Sequence, residues 1–282
     1  MTDDRPKATD EVLRRPRLAV MGEFSAGKST LTNLLLGARA LPEKVTATQL
    51  PPVWITEGEG EPVRIDLDGG EEAIGLAEIG EVNVADTWAI RMQRQAKLLS
   101  HCDLIDFPGI SDPNMDSEVW ERLLPEVNGV IWCTHATQAW RRSEAAAWRM
   151  VPDAVRARSA LLVTRFDKIL SERDRARVLK RVEVEAGPQF NSVFPVSLIQ
   201  AFDEGTLGES GFEPVRHWID AEFGDGPSRP TTARKAPTVA PKAAPVAANA
   251  STDGDAPSSP QILPRRVRPR RAREVAPQTS AI

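Results

Sequence analysis

The sequence predicts an α/β fold, a mostly parallel β-sheet with helices on both faces, followed by a disordered C-terminal tail. Three observations predict it. Short apolar runs alternate with helical segments across residues 17–223, the pattern of strands joined by crossover helices. One strand–helix junction reads Gly22-Glu23-Phe24-Ser25-Ala26-Gly27-Lys28-Ser29, a complete GxxxxGK[ST] loop. From residue 226 the composition changes to ten prolines, ten Arg/Lys, three Asp/Glu and no aromatic residue. Such a segment cannot bury enough apolar surface to offset its ordering entropy. The expected organisation is a flexible leader at 1–16, an α/β domain at 17–225 and a Pro/Ala/Arg-rich basic tail at 226–282.

The elements follow in chain order. Arg17–Met21 is a short buried strand, and Lys28 to Leu36 a helix with Leu31, Leu34 and Leu35 on one face and Gly37 as its stop. Leu41–Pro51 has neither period and is a threonine-bearing loop. Val53–Ile55 and Val63–Leu67 read as strands separated by the acidic, glycine-rich Glu57–Glu61, and 71–85 is ambiguous. Trp88, Met92, Ala96 and Leu99 recur at spacings of three and four and predict a helix over Trp88–Leu99. A strand at Asp103–Asp106 runs into Phe107-Pro108-Gly109. A short helix near Ser117–Leu124, a strand at Val130–Cys133 and a helix at Arg142–Met150 come next. The series closes with a strand at Ala160–Thr164, a charged helix at Ser171–Ala186, a strand at Val193–Ser197 and a helix near Glu213–Phe223.

The chain totals narrow the class. Of 282 residues, 41% are hydrophobic and 27% charged, a globular balance for the first 225. The tail is net +7 while the whole chain is −4, so the rest carries −11. Cys102 and Cys133 belong to apolar runs without a CxxC or histidine cluster, and read as buried free thiols. No apolar run approaches the ~18 residues of a membrane span, and Met-Thr-Asp-Asp-Arg is no signal peptide. The expected location is the cytoplasm, with peripheral membrane attachment as an option.

In an open parallel sheet, ligands sit beyond the carboxyl ends of the strands, and the polar motifs fall at those ends. Gly22 and Gly27 let successive N–H groups turn toward a polyphosphate, Lys28 reaches its β/γ oxygens, and Ser29 supplies a hydroxyl to Mg²⁺. The candidate contacts in this stretch are Gly22, Glu23, Phe24, Ser25, Ala26, Gly27, Lys28, Ser29 and Thr30. Asp106, just past a strand, is suited to hold Mg²⁺ through its water shell, and Gly109 to offer its backbone N–H to a terminal phosphate. Thr48 is the candidate third Mg²⁺ contact, with Thr46 competing. Thr164-Arg165-Phe166-Asp167 names the base: a carboxylate at Asp167 accepts from two guanine donors that adenine lacks, and Arg165 can lie over the purine face. Ser197 then closes the base pocket, mainly through its backbone N–H.

The run Gly-Glu-Phe-Ser-Ala-Gly-Lys-Ser-Thr-Leu-Thr-Asn-Leu-Leu-Leu-Gly resembles the phosphate loop and first helix of the dynamin-like GTPase superfamily, especially its bacterial members. Leu-Ile-Asp-Phe-Pro-Gly-Ile and Leu-Leu-Val-Thr-Arg-Phe-Asp-Lys-Ile are similar to its Mg²⁺ and guanine motifs, in the same order. The resemblance covers about residues 17–223. It implies a P-loop NTPase with a Ras-like sheet, GTP/GDP and Mg²⁺ as ligands, slow hydrolysis of GTP to GDP and phosphate, and a homodimer across the nucleotide face. It also implies that Ser25 helps position the γ-phosphate and attacking water, which makes Ser25, Lys28 and Thr48 the candidate catalytic groups. The chain departs from the family pattern in three places. Arg165 replaces a lysine, Ala47 replaces the proline before Thr48, and about 28 residues between Ser197 and the tail leave no room for a helical stalk and lipid-binding tip. Ile110, after Gly109, cannot orient water as the glutamine of many small GTPases does.

Arg265-Arg266-Val267-Arg268-Pro269-Arg270-Arg271-Ala272-Arg273 is the last motif. Near an anionic lipid surface each arginine contributes on the order of 1 kcal/mol. An acidic partner such as the domain of a neighbouring copy, nucleic-acid phosphates, or a merely solubilising role are the competing readings. The leading expectation is a GTP-hydrolysing, dynamin-like switch at a membrane or with a partner chain. The alternatives are a GTP-binding scaffold with negligible hydrolysis and an Era-like GTPase on RNA.

Overall fold

The computed structural model describes residues 15–37, 50–110, 117–203 and 206–224. All lie within one unit of the chain, Met1–Thr238. Their strands are β1 (Arg17–Gly22), β2 (Val53–Glu57), β3 (Val63–Asp66), β4 (Glu71–Ala73), β5 (Thr87–Arg94), β6 (Asp103–Asp106), β7 (Gly129–His135), β8 (Ala160–Thr164) and β9 (Ser192–Pro195). The helices are α1 (Lys28–Leu35), α2 (Glu118–Glu121), α3 (Arg142–Trp148), α4 (Asp153–Arg156), α5 (Glu172–Glu185) and α6 (Phe212–Phe223).

The strands form one sheet in the order β4-β3-β5-β2-β6-β1-β7-β8-β9. Five of its eight pairings are parallel, and the three antiparallel ones involve β2, β3 and β4. Burial on both faces follows from strict alternation in the central strands. Leu18, Val20, Ile131, Cys133 and Leu162 point to a core shared with Leu31 of α1 and Val215 and Ile219 of α6. Ala19, Met21, Val130, Trp132, Leu161 and Val163 point the other way, to Trp148 of α3 and Val182 of α5. Both cysteines are buried free thiols, and burial pushes each pKa up to about 12.

The helix predicted over Trp88–Leu99 is instead strand β5, followed by a single 3-10 turn at Lys97–Ser100. Thr87, Ala89, Ile90 and Met92 are buried between β2 and β3. The register against β3 slips at Ile65/Asp66 and passes over Trp88, so Trp88 joins Ala89 on one face while Ile90 and Met92 occupy the other. A bulge of this kind breaks the period of two and leaves an apparent helical spacing in the letters. The ambiguous 71–85 holds β4 and a 3-10 turn at Ile79–Glu81.

Beneath α3 lies a buried polar group. Glu144 accepts from Trp132 Nε1 at 3.0 Å, from the Thr134 hydroxyl at 3.0 Å and from Arg141 N–H at 2.8 Å. Burial raises its pKa, partly offset by those three donors, and the nearby Glu23 charge raises it further. Glu144→Ala strands these donors and should destabilise the fold by about 2–4 kcal/mol in denaturant unfolding. The raised pKa means the folded state binds the proton more tightly, so the stabilisation is complete below the ordinary carboxylate range and lost as pH rises through the folded value. Wild-type stability relative to Glu144→Gln should therefore fall with rising pH across that window, read from paired unfolding curves.

Candidate functional site

Register brings five strand ends to one edge. Val20 of β1 sits opposite Asp106 of β6, and Gly22 opposite Cys133 of β7. His135 of β7 is opposite Thr164 of β8, and Val163 opposite Pro195 of β9. The segments leaving these strands are therefore neighbours, with β1 between the two directions of winding. Hydrogen bonds tie them to the glycine-rich loop. Ile110 N–H donates to Gly22 O at 3.2 Å, the Thr164 hydroxyl to Ala26 O at 2.8 Å, and Arg165 Nη2 to Ser25 O at 3.0 Å.

The loop itself is held by backbone geometry. Gly22 has φ +141° and Gly27 +93°, and a side chain at Gly22 would run into the Cys133 carbonyl. Ser25 adopts φ +59°, a left-handed conformation that costs a non-glycine residue on the order of 1 kcal/mol. Gly27 caps α1 with no side-chain hydrogen bond, and the first turn carries no acidic residue. The partial positive charge of that helix end thus meets no compensating side chain from its own first turn. Lys28 is buried, and its ammonium donates to Glu23 O at 2.9 Å.

Asp106 and Gly109 close the next side. Asp106 Oδ1 is buried without a hydrogen-bond partner. Burial pushes the Asp106 pKa up to about 6, and the Lys28 charge draws it back. The Thr32 hydroxyl also lowers that pKa; the orphaned Oδ1, beside an ammonium group, fits a Mg²⁺ shell. Among the described residues no cluster of three or more His, Cys, Asp or Glu could hold a metal alone. An ion there would need hydroxyls, water and phosphate besides Asp106. Gly109 crosses directly over the loop, so that an added Cβ would stand 3.0 Å from Phe24 Cα. Its N–H finds no acceptor among the described residues, whereas Phe107 N–H donates to Val20 O at 3.1 Å.

On the base side two expectations change. The Thr164 hydroxyl is taken up by protein, bonding Thr134 O at 3.1 Å as well as Ala26 O, so this residue braces the loop from beneath. Ser197 N–H is also committed, donating to Ser210 O at 2.8 Å. The sequence assigns that N–H to the base; the turn leading into α6 takes it instead. The adjacent Leu198 N–H has no acceptor among the described residues, and its side chain packs 3.1 Å from where a Gly27 Cβ would stand. Any residue supplies a backbone N–H, so no letter in the sequence could mark Leu198. Arg165 has φ +54° and reaches over the loop, while Asp167 lies on the 3-10 turn Phe166–Lys168 with Lys168 Nζ at 3.7 Å.

The sequence also missed the β7–α3 junction. Arg141 Nη1 lies 3.2 Å from Glu23 Oε2, and the Ser143 hydroxyl donates to Glu23 Oε1. A cavity of about 190 Å³ opens there, lined by Glu23, Ser25, His135, Gln138, Arg141 and Glu144 among others. The His135 pKa is lowered by burial, then by the Arg165 and Arg141 charges. Thr46, Thr48 and the Arg265–Arg273 run lie outside the described residues.

Comparison with known proteins places this arrangement. The profile of the dynamin family matches residues 18–166. "Dynamin-like protein 2" of Campylobacter jejuni is 26% identical over 210 residues, covering 72% of this chain and 34% of that protein. "Isoniazid-induced protein IniC" of Mycobacterium tuberculosis is 26% identical over 234 residues, covering 73% of this chain and 47% of its own length. The chain thus spans between a third and a half of these relatives. Among solved structures, an oligomerised bacterial dynamin pair superposes with a TM-score of 0.56 at 18% identity, over 73% of this chain and 34% of the other. A mixed sheet with helices on both faces, the glycine-rich loop at its edge and a profile match over more than half of the sequence lead to one conclusion: the chain belongs to the dynamin family, the dynamin-like GTPases.

Proposed function

We propose that this chain binds guanine nucleotide with Mg²⁺ and hydrolyses GTP to GDP and phosphate. The single observation that carries the reading is the meeting of the Lys28 ammonium and the partnerless Asp106 Oδ1 at the uncapped start of α1. That combination supplies positive charge, donors and a metal-facing carboxylate where a β/γ-phosphate pair would lie. Ser29, Asp106 and Thr48 would hold Mg²⁺, which neutralises charge on the phosphate oxygens when bound. Lys28 binds those oxygens, and Gly109 N–H faces the terminal phosphate. Ser25, exposed at the tip of the loop, orients the γ-phosphate and the attacking water. Asp167 accepts from the guanine N1–H and 2-amine, Arg165 covers the purine, and Leu198 N–H meets the base oxygen.

Turnover on this reading is slow. Ile110 is half-buried against an apolar cluster and has no group to direct water. A second copy across the nucleotide face is the remedy. Exposed apolar side chains in the site's own segments favour it: Phe24 of the loop is 52% exposed and Leu170, three residues past Asp167, 89%. No helix among the described residues is long and apolar enough to cross a membrane. The solved bacterial dynamin pair is described as sensing and tethering membranes, and we extend a peripheral membrane role to this chain. Ile110 also favours a second reading, a GTP-binding scaffold that scarcely turns over.

Single-turnover hydrolysis at high protein concentration separates the two. Phosphate release that drops at least tenfold in Ser25→Ala supports the enzyme; none from wild type leaves the scaffold. Lys28→Ala should weaken GDP and GTP binding at least a hundredfold by titration calorimetry, since it removes the ammonium from the phosphates. Asp167→Asn should shift preference from guanine toward xanthine nucleotide, because an amide donor then faces a C2 carbonyl; competition binding checks it.

A further inference from the structure

An acidic side chain is out of place in a phosphate-binding loop, because a carboxylate repels the phosphates it stands beside. Glu23 is the second residue of the loop and is buried. Its backbone serves the site, since Glu23 O accepts from Lys28 Nζ at 2.9 Å and from Ala26 N–H at 3.2 Å. Its side chain is turned into the β7–α3 junction, onto the Arg141 guanidinium at 3.2 Å and the Ser143 hydroxyl.

That junction is itself anchored. Arg141 N–H donates to Glu144, which Trp132 and Thr134 fix on β7. Thr134 O accepts from the Thr164 hydroxyl, and that hydroxyl also meets Ala26 O. The contacts close into a ring that leaves the loop at Glu23 and returns to it three residues later. A 190 Å³ cavity beside the pair gives the carboxylate room to move when it is not held.

The geometry points to Arg141 as a positioning residue for nucleotide binding, one that neutralises the Glu23 carboxylate and holds it turned away from the phosphates. This deepens the proposed guanine-nucleotide reading and rests on it. The Arg141 side chain is 48% exposed, so its charge interaction is open to screening by salt. Removing Arg141 takes away a positive charge that faces the buried Glu23 carboxylate beside the phosphate site. Removing the charge of Glu23 instead leaves a cation there. The two changes act in opposite directions, whereas a contact that only stiffened the loop would weaken binding whichever partner was lost.

The test is titration of the full chain with fluorescently labelled GDP and Mg²⁺, with thermal unfolding of each variant alongside. Arg141→Ala should bind about tenfold more weakly, with the deficit shrinking as salt rises, and Arg141→Lys should recover most of it. Glu23→Gln should bind about threefold more tightly than wild type, and the double variant should be at least as tight as wild type. Weaker binding by a well-folded Glu23→Gln, or a double variant as weak as Arg141→Ala, overturns the proposal. The Glu23→Gln arm decides the matter even where Arg141→Ala is poorly folded. A wild-type chain that binds no guanine nucleotide would fail differently, bringing down the nucleotide reading and this one together.

Discussion

Parallel pairing of β1 between β6 and β7 is the constraint on which the rest depends. It aligns Val20 with Asp106 and Gly22 with Cys133, and so decides which segments emerge side by side. A slip of one residue would turn the core faces of β1 inside out, exchanging Leu18 and Val20 for Ala19 and Met21. Two fully buried faces make that slip prohibitively costly. The precision of the loop edge is thus inherited from apolar packing some distance below it.

Polar groups then convert alignment into rigidity. The Thr164 hydroxyl, at the end of β8, bonds both β7 and the glycine-rich loop, and Ile110 N–H bonds the loop from the β6 side. The loop is thereby held from the β6 side of its own strand and, on the other side, from β8 beyond β7. A loop braced in this way keeps its own backbone N–H groups in place, the kind of preorganisation that polar sites rely on. The left-handed Ser25 and Arg165 belong to the same design, since strained backbone persists only where its surroundings over-determine it.

Much of this was legible in the letters, because the chemistry is local. Strand, glycine turn and helix are contiguous, and so are the Asp106–Gly109 and Thr164–Asp167 segments. What escaped was set by other parts of the chain. Trp88 sits at a bulge defined by its neighbour β3, and the resulting break in alternation imitates a helix. Ser197 loses its N–H to Ser210 because the chain folds back into α6, which no local pattern encodes. Glu23 and Arg141 meet across 118 residues; Glu23 reads only as a member of the loop, and nothing local links it to Arg141.

The aromatic packing behind the β7–α3 junction has an optical consequence. Trp132 stands edge-on to Trp140 at 6.2 Å and to Trp148 at 5.3 Å, and Phe190 stacks on Trp148 at 4.2 Å. Seven tryptophans and no tyrosine leave the long-wavelength end of the near-ultraviolet absorption to indoles, beyond the weak bands of the eight phenylalanines. Closely spaced, nearly perpendicular indoles couple their transitions, and Trp140 adjoins Arg141 in the chain. The circular dichroism of the unlabelled protein therefore includes a contribution from the way β7 hands over to α3, beside that of the Trp54–Trp88 pair at 6.3 Å.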